Sequence, residues 1–298
     1  MRAARNHRLA LALLWLVPIV WSSNYLIARA ASGVVPPHVL AFGRWAIVFA
    51  VLLCYCWRSL LANSERVGAE WPQLLVLGLL GMWICGAWVY IGGQSTSATN
   101  IGLIYAAAPV GIALGSHRLL GEHLSRVQAL AMAMALAGVL LVIARGDPQV
   151  LLTVHFSRGD LWIVAAASCW VLYSLLLQVW PTQLTTTERL CCMSAGGLLA
   201  LLPFAAFEWW STPQWPSRQG WGLIALAGVL PGLISYSAYS HMQRELGTAK
   251  AGLVMYLQPV YAAGLAWWLL GERPQWFHLV GALLILPSIY IATRSGRS

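Results

Sequence analysis

The 298-residue chain is 59% hydrophobic and only 9% charged, where a soluble domain carries roughly a quarter of its residues as Asp, Glu, Lys or Arg. A water-facing globular surface is therefore excluded. The net charge of +9 comes from basic residues scattered singly between apolar segments, which excludes a nucleic-acid-binding patch and places the charge in loops between membrane spans.

At about 20 apolar residues per spanning helix, the length accommodates ten spans with short connections. Apolar runs predict them at 9–30, 38–57, 73–93, 97–116, 127–144, 160–180, 189–208, 220–241, 248–270 and 275–293. Before the first run stand Arg2, Arg5 and Arg8, and Ala28-Arg29-Ala30 imitates a small-x-small cleavage site. The run exceeds 20 residues and has a counterpart in the second half, so an uncleaved span is expected rather than a signal peptide.

Span one carries Trp21, Ser22, Ser23 and Asn24, with Trp21 and Asn24 on one helical face. Span two contains Arg44, whose insertion near a span centre costs roughly 2.5–3.5 kcal/mol. It needs a partner, a set of carbonyls or the interface, and a gating or structural role and a ligand contact both remain open. Trp88 and Tyr90 lie in span three. Span four holds Asn100, Tyr105 and Pro109 and ends in Leu120-Gly121-Glu122.

In span six, Trp170, Tyr173 and Ser174 form a face matching that of span one. Trp209, Trp210 and Trp215, after span seven, are expected to anchor at headgroup level. Span eight carries Ser235, Tyr236, Tyr239 and Ser240, and span nine carries Tyr256, Gln258 and Pro259 before Leu270-Gly271-Glu272. The Gly111/Gly115 and Gly228/Gly232 spacings predict close helix packing.

The strongest signal is an internal repeat. Residues 102–122 read GLIYAAAPVGIALGSHRLLGE and residues 252–272 read GLVMYLQPVYAAGLAWWLLGE, aligned without a gap at an offset of 150. Pro109-Val110 recurs as Pro259-Val260, and Leu119-Leu120-Gly121-Glu122 as Leu269-Leu270-Gly271-Glu272. Two five-span halves, 1–148 and 149–298, follow. Because five is odd, the second half enters the bilayer from the opposite side, an inverted repeat. The expected fold is all-α and polytopic.

Basic residues set the orientation. With the N-terminus inside, Arg2, Arg5, Arg8, Arg58, Arg66, Arg118, Arg126, Arg189, Arg244, Lys250, Arg294 and Arg297 lie on the cytoplasmic side, against Arg145, Arg158, Arg218 and Arg273 outside. Both termini are expected to be cytoplasmic.

On Trp21-Ser22-Ser23-Asn24, Arg44, and Pro109 and Pro259 with their Leu-Gly-Glu turns, the chain resembles the EamA family of the drug/metabolite transporter superfamily, over nearly its whole length. The resemblance implies ten helices, a central cavity and export of amino acids or other small metabolites, with YddG-type aromatic amino acid exporters as one branch. Trp170 and Tyr173 stand where the first half has Trp21 and Asn24, so the halves would not contact a ligand identically.

Trp21, Asn24, Trp88, Tyr90, Tyr105, Trp170, Tyr173, Tyr236, Tyr239, Tyr256 and Gln258 are the candidate substrate-binding residues, because rings can enclose an apolar body while amides and hydroxyls hold a polar head. Arg44, Pro109, Glu122, Pro259 and Glu272 are candidates for gating or structural roles. The six cysteines all fall in apolar runs without metal-ligand spacing. No metal or cofactor is expected. No acidic residue lies clearly mid-span, and His38 and His241 sit at span ends, so proton coupling and movement down a gradient both stay open. The absence of a G-x-S-x-G elbow, an H-E-x-x-H helix or paired carboxylates argues against a membrane enzyme.

The expectation is a secondary transporter of the bacterial-type inner membrane, working by alternating access and exporting aromatic or other neutral amino acids. An exporter of drugs or amphipathic cations is the alternative, and its partners would likewise be a small molecule and the bilayer.

Overall fold

A computed structural model describes residues 2–211, 215–271 and 273–294. Every regular element among them is a helix. The first half comprises α1 (Arg2–Ala31), α2 (Pro37–Ala62), α3 (Ser64–Gly78), α4 (Val89–Gly93), α5 (Ala98–Ala106), α6 (Ala108–Leu120), α7 (Arg126–Ile143) and the single turn α8 (Gln149–Leu152). The second comprises α9 (Arg158–Val179), α10 (Thr186–Ser211), α11 (Arg218–Ala227), α12 (Ser235–Leu246), α13 (Thr248–Gly252), α14 (Val254–Leu270) and α15 (Trp276–Arg294). Two wide-turn π-helical stretches, π1 (Leu79–Trp88) and π2 (Gly228–Ile234), join α3 to α4 and α11 to α12 without a break.

Among the described residues, nine helical runs are long and apolar enough to cross a membrane. The sequence predicts ten. The segment expected at 248–270 is helical but divided at Leu253, and its longer piece, α14, has 17 residues. That piece is about 26 Å long, short of the ~30 Å hydrocarbon core. The third span begins at Ser64 rather than 73, because Glu65, Arg66 and Glu70 extend the helix as two polar turns that an apolar-run reading leaves out. Glu272, Arg297 and the side chain of Arg29 lie outside the described residues.

Local chemistry sets the boundaries. Gly121 and Gly271 end their helices at φ 68° and 69°, the left-handed conformation that glycine adopts without a Cβ penalty. Ser125 and Gln128 form a reciprocal capping box at the start of α7. Pro109 stands in the first turn of α6, just past the break at Ala107, where its missing N–H costs nothing. Pro231 lies inside π2 and removes a ladder donor there. Pro18, Pro203 and Pro287, by contrast, lie within continuous helices.

Packing joins the halves to each other. The most extensive helix pairs are α7 with α15, α10 with α2 and α3, α1 with α12 and α14, and α9 with π1 and α6. The α2/α10 pair runs antiparallel: Glu208 near the end of α10 accepts from the His38 N–H at 2.8 Å, and Ser59 near the end of α2 donates to Glu188 at the start of α10. The α7/α15 pair does too, since Gln128 at the start of α7 donates to the Ala292 carbonyl near the end of α15 at 3.3 Å. The predicted glycine contacts form: Gly111 and Gly115 face Val171 and Leu175, and Gly228 and Gly232 face Ile47 and Val48. Gly78 brings backbone against backbone, because a Cβ there would stand 2.3 Å from the Met193 carbonyl oxygen.

Candidate functional site

The centre of the bundle is an aromatic cluster drawn from both halves. Trp21 of α1 meets Trp170 of α9 edge to face, with ring centroids 5.2 Å apart. Tyr236 and Tyr239, one turn apart on α12, lie 5.9 and 5.5 Å from Trp21. Trp45 of α2 packs edge-on to Tyr236 at 4.8 Å. Such offset and edge contacts place the positive rim of one ring against the negative face of the next, which fixes their relative positions.

Against this cluster lies a cavity of about 80 Å³. Trp21, Asn24, Tyr105, Trp170, Tyr236 and Gln258, all expected from the sequence, line it together with Arg44, Cys85, Val89, Ile101 and Met255. A second cavity of about 260 Å³ adjoins it, sharing Ile101, Tyr105, Met255 and Gln258, and passes between α5, α7 and α14. Tyr256 and Pro259 line this second space.

The other expected residues stand elsewhere. Trp88 packs edge-on to Trp162 at 5.0 Å and to Trp83 at 5.8 Å. Tyr90 donates from its hydroxyl to Asn24 Oδ1 at 2.9 Å, forming a wall behind the cavity residue. Tyr173 and Tyr239 are fully buried. Tyr239 donates to the Ser174 hydroxyl at 2.9 Å, and Gln243 Nε2 donates to the Ser174 carbonyl at 3.0 Å and to the Tyr239 oxygen at 3.2 Å. These three residues seal the side of the cluster toward the end of α12.

Arg44 is 3% exposed. Its Nη2 donates to the Pro231 carbonyl in π2 at 3.1 Å, and the guanidinium lies 5.0 Å from the Trp45 ring centroid and 5.9 Å from that of Tyr236. Nε has no partner. In the opposite direction, the Tyr236 hydroxyl donates to the Gly81 carbonyl in π1 at 2.8 Å. Gly81 and Pro231 are 150 residues apart, the offset of the repeat. Each wide turn is thus held by a side-chain donor from the other half, the kind of insertion that opens a helical ladder.

Glu122 accepts from the backbone N–H groups of Thr248 at 2.8 Å and Ala249 at 3.0 Å, capping the short α13. His38 Nδ1 is 2.6 Å from Glu208 Oε1 at the start of α2, and the His241 ring is placed in the last turns of α12. Among the described residues, no group of three His, Cys, Asp or Glu side chains is arranged to hold a metal. Cys85, Val89, Ile101 and Met255 were not anticipated, because nothing in an apolar run distinguishes a cavity-facing aliphatic side chain from a lipid-facing one.

The EamA-like transporter family profile matches the chain twice, over residues 8–144 and 157–294. An uncharacterized transporter of Archaeoglobus fulgidus is 23% identical, the alignment covering 94% of this chain and 96% of that one. The uncharacterized transporter YyaM of Bacillus subtilis is 26% identical over 92% of this chain and 90% of its own. An S-adenosylmethionine/S-adenosylhomocysteine transporter of Chlamydia trachomatis is 22% identical over 89% and 83%. A solved crystal structure shares the fold, with a TM-score of 0.75 at 20% identity and coverage of 95% of this chain and 96% of that one.

Proposed function

The chain belongs to the EamA-like transporter family and is a multi-pass membrane transporter, and on that premise we propose that it exports amino acids or close derivatives by alternating access through the cavity between its halves. The observation that carries this reading is the cavity itself. Aromatic rings from α1, α9 and α12 line it together with amide, hydroxyl and guanidinium groups from α1, α2, α5 and α14, which matches a ligand with an apolar or flat body and a charged head. S-adenosylmethionine, named for the Chlamydia trachomatis relative, is itself an amino acid with a flat purine at its far end.

Alternating access rests on the inverted arrangement of residues 1–148 and 149–298, with ten crossings and both termini cytoplasmic. Antiparallel packing of the equivalent pairs α2/α10 and α7/α15 supports it. So does the recurrence of a π stretch, 79–88 and 228–234, at nearly the repeat offset. Exchange of conformation between such halves moves the opening from one membrane face to the other.

Two hydrogen-bonded closures fit that exchange. Asn24 with Tyr90 joins α1 to α4, and Ser174 with Tyr239 joins α9 to α12. Asn24 and Ser174 are separated by the repeat offset of 150. In this reading the first closes the outer face and the second, reinforced by Gln243, closes the cytoplasmic face.

The amphipathic-cation alternative meets a cavity whose one charged group is cationic among the described lining residues. Counterflow of labelled amino acids into liposomes carrying the purified protein tests the reading. Saturable exchange, inhibited by unlabelled amino acids and indifferent to amphipathic cations, is expected. Exchange of cations without amino acids would reverse the two readings.

A further inference from the structure

We propose that Arg44 is the ligand-binding group for a carboxylate, so that the transported molecule must carry one; the proposal rests on the amino-acid reading above and narrows it. A guanidinium presents five N–H donors in a planar fork. In this structure one nitrogen is engaged by the Pro231 carbonyl and Nε is without a partner, although the side chain is 3% exposed and lines the central cavity. A buried charge left in that condition is costly unless an opposite charge joins it.

Among the described residues, no carboxylate pairs with Arg44. The ion pair found among the described residues is His38 with Glu208, six residues before Arg44 on α2 and so about 9 Å along the helix axis. Glu122, Asp160 and Glu188 are bound to hydroxyl, amide or backbone groups at helix ends. Two aromatic rings flank the guanidinium, whose carbon lies over Trp45 and over Tyr236. They hold the guanidinium in position at the cavity wall that Arg44 lines, with Nε on the side of Gly232 in π2.

A structural explanation competes, since Arg44 also donates to the wide turn π2. That duty needs only one donor, which glutamine or lysine could supply. It does not account for a planar, always charged group at a cavity wall beside Asn24, Trp21 and Gln258. Arginine differs from lysine in matching a carboxylate with two parallel hydrogen bonds. The rings that flank it are already engaged with a protein cation, which disfavours a ligand whose only charge is positive.

The geometry points to a substrate oriented with its carboxylate on Arg44 and its side chain against Trp21, Trp170 and Tyr236. Amines lacking the acid, and carboxamides of the same shape, should be excluded. The chemical class is a monocarboxylate with an apolar or flat body, of which an α-amino acid is one form.

The test uses the full chain in liposomes, with labelled L-phenylalanine counterflow and three unlabelled competitors: L-phenylalanine, L-phenylalaninamide and phenethylamine. With the native protein, the amide and the amine should compete at least tenfold more weakly than the acid. Arg44→Gln should level the three by weakening the acid alone, and Arg44→Lys should restore part of the difference. An amide that competes as well as the acid overturns the proposal even if counterflow is normal.

If phenylalanine does not exchange at all, the amino-acid reading fails and a second measurement decides Arg44. Thermal stabilisation of the detergent-purified native protein by phenylacetate, but not by phenylacetamide, would uphold the carboxylate site. Equal shifts, or none from either compound, would overturn it. Because both comparisons can be made on the native chain, a variant that fails to fold does not remove the answer.

Discussion

Glu70, Glu122, Asp160, Glu188 and Glu208 each accept hydrogen bonds from groups at helix ends or in the connections between them. A carboxylate in such a place meets backbone N–H groups that no helical carbonyl can satisfy. Five of the chain's nine acidic residues are thereby engaged at helix ends or in the connections. Glu122→Ala should remove both acceptors at the start of α13 and lower stability by about 1–2 kcal/mol, read as a fall in melting temperature of the purified protein. Asn24→Ala removes both a cavity amide and the acceptor of the Tyr90 hydroxyl, and flux should fall several-fold while insertion persists. Tyr173 is fully buried against Trp170 and does not line the cavity. Tyr173→Ala should therefore act through packing, costing about 3–5 kcal/mol, with the loss visible in thermal stability before it is visible in substrate selectivity.

How much of this was legible in the sequence differs from element to element. The Leu-Gly-Glu turns were, because a glycine forced to positive φ leaves a fixed mark, seen at Gly121 and Gly271. Pro231 lies in its wide turn, but Pro18, Pro203 and Pro287 lie in continuous helices, so a proline alone does not mark such a turn. The wide turn π1 has no proline, and the donor that holds it, Tyr236, arrives from 155 residues away, so no local pattern announces it. Rings were legible as candidates but their depth was not: Trp170 and Tyr173 share a helical face one turn apart, yet only Trp170 reaches the cavity. Close approach of helices gives a sharper prediction at this scale. Gly78→Ala would press a Cβ onto the α10 backbone, whereas a Cβ at Gly264 meets open space. The first should abolish or severely weaken folding. Gly264→Ala should be neutral or stabilising by roughly 0.5–1 kcal/mol, a difference that a fluorescence-detected melting comparison would resolve.

Across the whole molecule, the two closures are unequal. Ser174, Tyr239 and Gln243 share three hydrogen bonds in a fully buried setting, while Asn24 and Tyr90 share one in a half-buried setting. The more heavily bonded side should open less readily. Tyr239→Phe removes one donor and one acceptor there and should shift the balance by about 1–2 kcal/mol, seen as increased reactivity of the thiol of a Ser240→Cys variant, beside Gln243, toward a water-soluble reagent. No change in that reactivity would separate the network from gating. The proposed orientation is tested independently, since a C-terminal reporter active only in the cytoplasm should be active.

The antiparallel pair α2/α10 is fastened at both ends, by Glu208 to His38 and by Glu188 to Ser59. In mechanical terms it is a clamped strut. Sliding lengthwise would break both fastenings, so in the proposed alternating-access cycle the two helices should move as one body, with the strut as the axle about which the others turn.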